Sequence, residues 1–266
     1  MARVSVVMAT YNNEQSVGEA IESILTQTFS DWELIVVDDR STDNTWQVVR
    51  DYLADARVRC VRLPINSGSG AARNRAIGMT SADFVAIMDA DDISLPARLQ
   101  SQVLALDEDP SLAAVSSQVA EFGEWGGPVV GRWPTSDEQV RQRQKGLKMP
   151  VPHPASMFRT SEVLRVGGYD ETCRRAQDYA LFLRLSDRRV RCLPEVHVLY
   201  RTARPLPLEY AVRNGRYAAL ARTRYAMASR GVAVEALPTQ PARSLLVDLG
   251  SVKSWAVRNV RERIGR

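Results

Sequence analysis

Only three cysteines occur in the 266 residues, Cys60, Cys173 and Cys192, and no two stand as a CxxC pair. That spacing argues against a disulfide framework or a thiolate zinc site and makes a reducing compartment the expectation. No apolar run approaches the ~20 residues of a membrane-spanning helix. The opening Met1-Ala-Arg-Val-Ser-Val-Val-Met reaches polar Thr10-Tyr11-Asn12 too soon for a signal peptide and reads as a first strand. The expected location is cytoplasmic, with peripheral contact at the inner face of the cell membrane left open. Lysine occurs only at 145, 148 and 253, a pattern that points to coding bias rather than physics. No internal repeat is visible.

What is present is an ordinary globular composition, 45% hydrophobic and 25% charged, so disorder is not expected. The net charge of +4 hides an asymmetry. Residues 201–266 carry 13 Lys and Arg against 4 Asp and Glu, a net of +9, and residues 1–200 a net of −5. A basic C-terminal quarter suits an anionic membrane or acceptor, or is simply a solvated arginine-rich surface.

Along the first ninety residues, strand and helix patterns alternate. Residues 3–9, 33–38, 58–62 and 83–88 read as strands, the apolar ones as buried parallel strands. Helices are expected over 13–27, from 42 to about 55, and from the glycine-rich turn Asn66-Ser-Gly-Ser-Gly70 to about 78. Such alternation predicts a parallel sheet covered by helices. The middle, 111–160, has mixed strand and loop character. A short helix, a Gly167-Gly168 turn, a helix over about 178–187 and a strand over 196–201 follow. Two amphipathic helices are expected over about 207–230 (Tyr210, Tyr217, Ala221, Tyr225) and 243–264 (Leu245, Leu249, Val252, Ala256, Val260).

The acidic and glycine signals fall at the carboxyl ends of the strands, where open α/β sheets bind ligands. Asp89-Ala90-Asp91-Asp92 places carboxylates two apart, hard oxygen ligands suited to Mg²⁺ or Mn²⁺ and thus to a diphosphate. A solvated turn with Asp92 as a helix cap is the plain alternative. An EF-hand is disfavoured because Ser94 stands where that loop needs glycine. Asp38-Asp39 could cap the following helix or bind a base or ribose. Arg73 could counter a phosphate or pair with Asp39. Gly68 and Gly70 permit close backbone approach or serve an ordinary turn.

Val4-Ser-Val-Val-Met-Ala-Thr-Tyr-Asn12, Ser23-Ile-Leu-Thr-Gln-Thr-Phe29, Val36-Val-Asp-Asp39, Asn66-Ser-Gly68, Ala72-Arg-Asn74 and Met88-Asp-Ala-Asp-Asp92 together resemble the family 2 glycosyltransferases of the GT-A fold. A weaker likeness runs through His153-Pro154, Phe158-Arg159, Gly167-Gly-Tyr-Asp170 and Gln177-Asp178 to Tyr200-Arg201, so about 200 residues are covered. The fold implied is a Rossmann-like mixed sheet flanked by helices with a C-terminal helical extension. The implied division is a catalytic domain over 1–205, nucleotide-binding to 100 and acceptor-binding beyond, and a basic helical tail over 206–266.

The resemblance also implies roles. Ala9, Thr10 and Tyr11 would line the base site, Asp39 would bind the base, and Gly68 and Arg73 would lie near the nucleotide. Asp89 and Ala90 would sit at the ribose or sugar, Asp91 would ligate Mn²⁺ or Mg²⁺, and Asp178 would be the base of an inverting displacement. The donor implied is a nucleotide-diphosphate sugar, UDP- favoured over dTDP- or GDP-. The acceptor is a hydroxyl on a glycan, lipid-linked or small molecule, within cell-surface polysaccharide or glycolipid synthesis. No nucleic-acid partner is expected, and the tail is left to membrane contact, packing on the catalytic domain or homodimerisation.

Two departures stand out. Gln177 precedes Asp178 where relatives often have Glu, and Thr202-Ala203-Arg204 follows Tyr200-Arg201 where many carry His. Arg201 or Arg204 is then a candidate phosphate contact, and His153 is read as structural. A nicotinamide-binding enzyme lacks its GxGxxG here. A nucleotidyltransferase would carry a basic glycine-rich loop after the first strand, and an aspartyl-phosphate phosphatase its DxD there. A catalytically degenerate nucleotide-sugar binding module is the non-enzyme alternative.

Overall fold

The computed structural model describes the backbone of residues 2–264 and the side chains of residues 2–259. In chain order the strands and helices are β1 (Val4–Thr10), α1 (Val17–Leu25), β2 (Trp32–Asp38), α2 (Thr45–Asp51), β3 (Val58–Arg62), α3 (Ser69–Ile77), β4 (Phe84–Asp89), β5 (Ile93–Ser94) and α4 (Arg98–Glu108). Then come β6 (Leu112–Gly123), β7 (Gly126–Val130), α5 (Asp137–Lys145), β8 (Met157–Arg159), α6 (Thr160–Arg165), α7 (Gln177–Arg184), β9 (Arg189–Arg201), α8 (Leu208–Ala228) and α9 (Leu245–Ile264).

The apolar runs near the start become β1, β2 and β4, which pair in parallel with β1 in the middle. β3 extends them in parallel beyond β2. The parallel plan stops there. β8 runs antiparallel to both β4 and β6, and β5 antiparallel to β9, while β6 and β9 are parallel. The result is a mixed sheet in the order β3-β2-β1-β4-β8-β6-β9-β5, with β7 paired to β6.

Side-chain alternation along the strands feeds two cores. Val4, Val6 and Met8 join Leu34, Val36, Phe84 and Met88 beneath α1 and α4. Val7, Ile35, Val37, Val85 and Ile87 face α3 and α7 on the other side. Each such fully buried side chain contributes roughly 1.5–3 kcal/mol, so the four central strands form a rigid base for the loops at their carboxyl ends.

Several boundaries differ from expectation. α2 ends at Asp51 and tightens into a 3₁₀ turn over Tyr52–Ala54. β9 begins at Arg189 rather than 196, because its register against β6 shifts three times and the resulting bulges break the alternation that marks a strand. In α8, Leu220 and Ala221 are buried against Cys173, Tyr179, Ala180 and Leu183, with Tyr217 and Tyr225 packed beside them, but Tyr210 lies off this face.

The α9 face picked out by Leu245, Leu249 and Val252 does not pack on the rest of the protein. It points to solvent, and Leu245 is 81% exposed. The helix is held through its other side, where Asp248 pairs with Arg216 at 2.6 Å and Trp255 Nε1 donates to the Leu206 carbonyl at 2.6 Å. The Val260 side chain lies outside the described residues. No described helix is long and apolar enough to cross a membrane.

Candidate active site

The carboxyl ends of β1, β2 and β4 meet along one edge. The two acids ending β2 divide their work. Asp38 is fully buried, accepts from the Ser41 backbone and hydroxyl, and pairs with Arg62 at 3.0 Å. Asp39 donates its backbone N–H to Thr10 at 2.8 Å, while its carboxylate accepts from the backbone N–H groups of Ser67 at 2.7 Å and Gly68 at 2.8 Å. The loop before α3 is therefore folded around Asp39. Gly68 adopts φ +94°, a left-handed conformation open to glycine at little cost. Asn12 and Arg40, beside the same edge, are left-handed without being glycine, a strain of about 1–3 kcal/mol each that tends to collect at functional loops.

Sequence spacing left Arg73 a choice of partner. In the structure it pairs not with Asp39 but with Asp89, at 2.5 Å, with the guanidinium near the Tyr169 ring. Burial opposes the Asp89 charge, yet Arg73 holds that carboxyl below its usual range. Arg73 is itself buried, and its Nε and Nη1 have no partner among the described residues. Asp92 does not cap α4. It is buried, its Oδ1 accepts from the Arg201 backbone at 2.8 Å, and burial followed by its acidic neighbours raises its pKa well above normal. Beneath the turn lies Arg98, fully buried, donating to the Ile87 carbonyl at 2.5 Å and pushed by burial down to about 10.

With Asp89 held by Arg73 and Asp92 turned inward, Asp91 is the carboxylate of the turn that is left to face open space. Burial and then the Asp89 charge push it up to about 6. No group of three or more His, Cys, Asp or Glu able to hold a metal exists among the described residues. A single carboxylate still fits Mg²⁺ or Mn²⁺, which complete their shells with water and ligand phosphate. Arg201 braces this turn. Its Nε donates to the Asp91 carbonyl at 2.8 Å and its Nη2 to Glu19 at 2.7 Å. Arg204 is engaged by Glu121 at 2.7 Å and stacks on Trp125.

Asp178 stands in the first turn of α7, which starts from Ala176 in a left-handed conformation at φ 53°. Gln177 reaches back from the same turn to donate to the Ser69 hydroxyl at 2.8 Å. The neutral residue thus ties α7 to the loop organised by Asp39. His153 is buried in the wall of the site, within 2.7 Å of the Tyr169 hydroxyl. Burial and then the Arg73 charge lower its pKa to about 4.

Two cavities open here. One, of about 1020 Å³, is lined by Tyr11, Asp39, Gly68, Arg73, Asp89 and Asp178, among others. The second, of about 1100 Å³, is lined by Asp91, Asp178, Tyr200, Tyr210 and Trp255, among others, and extends between α8 and α9. Among the described residues, Asp178 is the one acidic side chain lining both. Ala9, Thr10 and Ala90 line neither. Thr10 secures the β1 turn by a 3.2 Å bond to Asn13, and the Ala90 side chain lies in the apolar core. Arg222, which with Tyr200 and Tyr210 faces both cavities, was not singled out from the sequence. Its place in a helical arginine-rich stretch carried no distinguishing signal.

The sequence model described as Glycosyl transferase family 2 matches residues 5–167. EpsE of Bacillus subtilis is 34% identical over 186 residues, which are 68% of this chain and 66% of EpsE. An uncharacterized glycosyltransferase of Methanocaldococcus jannaschii is 33% identical over 68% of this chain and 63% of its own length. The chain thus spans just under two thirds of these relatives. The Escherichia coli UDP-Glc:alpha-D-GlcNAc-diphosphoundecaprenol beta-1,3-glucosyltransferase WfgD is 38% identical over 100 residues, 38% of this chain and 39% of WfgD. Two solved structures share the fold. Staphylococcus aureus TarS 1–349 with UDP-GlcNAc has TM-score 0.63 and 20% identity, over 96% of this chain and 72% of that one. The mannosyltransferase PcManGT of Pyrobaculum calidifontis, in complex with GDP-Man and Mn²⁺, has TM-score 0.64 and 18% identity, over 96% and 73%.

Proposed function

The chain belongs to glycosyl transferase family 2, with the GT-A fold, and from that premise we propose that it transfers a glycosyl group from a nucleotide-diphosphate sugar to a hydroxyl acceptor with inversion. The observation that carries this reading is the position of Asp178 between two cavities, with the donor-side groups in one and Asp91 in the other. Residues 1–205 supply the catalytic unit, and α8 and α9 of the tail wall the acceptor side.

The donor lies in the first cavity. Asp39 keeps lone pairs free beyond its two backbone contacts and accepts an N–H of the base, such as the imide of uracil. UDP is favoured, in keeping with the UDP-glucose in the name of the relative WfgD. The unpartnered N–H groups of Arg73 offer charge-assisted hydrogen bonds to donor oxygens. Held by Asp91, Mn²⁺ or Mg²⁺ would supply neutralisation of the departing diphosphate.

The acceptor enters the second cavity. Asp178 takes the proton of its hydroxyl as that oxygen forms a bond to the anomeric carbon, and the bond to the diphosphate oxygen breaks with its electrons going to the leaving group. One in-line displacement inverts the anomeric centre. A nucleotide and nucleotide-sugar screen by thermal shift with Mn²⁺, followed by measurement of nucleotide release with acceptor, tests the reading. Stabilisation by UDP and acceptor-dependent release are expected. Binding without release would make the protein a nucleotide-sugar binding module instead.

A further inference from the structure

The outer face of α9 carries Leu245, Leu246, Leu249, Val252 and Val257, exposed by 81, 83, 65, 37 and 44%. At 100° per residue these five fall on one arc of the helix. Among the described side chains of the helix, the charged one within that arc is Lys253, and the acid, Asp248, is turned away and paired with Arg216. The opposite side is committed to α8, where Gly215 lets Ser251 and Val247 approach closely. Aliphatic side chains this exposed cost solvation free energy unless something covers them.

We propose that this face seats the protein on an anionic lipid bilayer. Three observations select that occupant. The five aliphatic side chains are of the size that enters the headgroup–acyl boundary, and a lysine among them meets lipid phosphate. The net +9 of residues 201–266 adds attraction to an anionic leaflet, and exposed Arg243 stands just before α9. Lastly, Leu246 and Gly250 are exposed on this side and also line the second cavity. That cavity therefore opens beside the docked face, within reach of an acceptor whose apolar part stays in the bilayer. A second copy of the chain is a poorer occupant. Two copies apposed through this face would bring their Lys253 side chains and their basic tails together, like charge against like.

The test is flotation of the full-length protein with phosphatidylcholine vesicles, with and without one quarter phosphatidylglycerol. Binding is read directly and does not depend on turnover, so its failure is separate from failure of the glycosyl-transfer reading. Wild type is expected to float with the anionic vesicles, less at 1 M NaCl, and weakly with the neutral ones. Leu245→Ser/Leu249→Ser and Lys253→Glu are expected to lower partitioning at least tenfold and severalfold, respectively, with unchanged thermal midpoints because these side chains are on the surface. Absence of wild-type binding, or equal binding by the double variant, would overturn the proposal. So would a dimer by light scattering that the double variant dissolves while vesicle binding is absent.

Discussion

Arg73 and Asp89 meet at 2.5 Å across the end of β4, and the arginine brings two further buried nitrogens, Nε and Nη1, whose N–H groups nothing in the described protein accepts. The pair holds Asp89 ionised beside the first cavity and leaves Asp91 as the carboxylate facing open space. Replacing Arg73 by Met keeps bulk but strands the Asp89 charge. Because Asp89 retains some exposure, the expected loss is about 2–3 kcal/mol rather than the full cost of an orphaned buried ion. Thermal unfolding measures it, and calorimetry with UDP should show donor affinity falling in Arg73→Lys as well, since a lysine lacks the planar fork.

Asp91→Asn should reduce metal-dependent transfer on the order of 10²–10³-fold, the scale of removing one electrostatic clamp. Acid should imitate it. Because burial and the Asp89 charge raise this carboxyl to about 6, a cation must displace a proton below that pH. Apparent Mn²⁺ affinity should then weaken about tenfold per pH unit below 6. Titrating Mn²⁺ against the UDP-bound protein at pH 5 and pH 7 checks the direction. Equal affinities would remove Asp91 from the metal site.

Asp178→Asn should lower acceptor-dependent transfer by about 10²–10⁴-fold, the range for a general base, with donor affinity within a few fold of wild type. Stopped assays with a fixed acceptor give the rate, and calorimetry gives the affinity. A variant with normal transfer would unseat Asp178 as the base.

His153 makes a separate prediction about stability. Its folded pKa of about 4 lies below the ~6.5 of an unfolded histidine. The unfolded chain therefore takes up the proton first, so stability that is full above pH 6.5 is lost as pH falls toward 4. The contribution is roughly 3 kcal/mol. In denaturant melts, wild type should lose that much more stability than His153→Gln between pH 7 and pH 4. Equal losses would contradict the buried neutral imidazole.

The parts visible in the sequence are those governed by local pattern. β1, β2 and β4 announce themselves as apolar runs, and the acids at their ends follow from the chain direction. Asp39, Asp89, Asp91 and Asp178 were all picked out this way or by resemblance. What escaped depends on contacts between distant segments. Nothing near Arg73 says that it chooses Asp89 over Asp39, because that choice is made by the pairing of β1 with β4. Arg98 sits in an ordinary helical pattern and gives no hint of complete burial. The outer direction of the α9 leucines is likewise set by Gly215 and Ser251, whose small size lets the opposite side of the helix approach α8. β9 was found only in part because its bulges against β6 hide its period.

The brace formed by Arg201 has a consequence for how the protein is partitioned. The family match ends at residue 167, yet the acidic turn inside that segment takes its support from a residue at the end of β9. A polypeptide cut at that limit would retain Asp39, Asp89 and Asp91 while losing both the proposed base on α7 and the latch on the turn that carries Asp91 and Asp92. The carboxylates at the strand ends are therefore encoded early in the chain, but the turn that carries two of them is braced only after the last strand has been laid down.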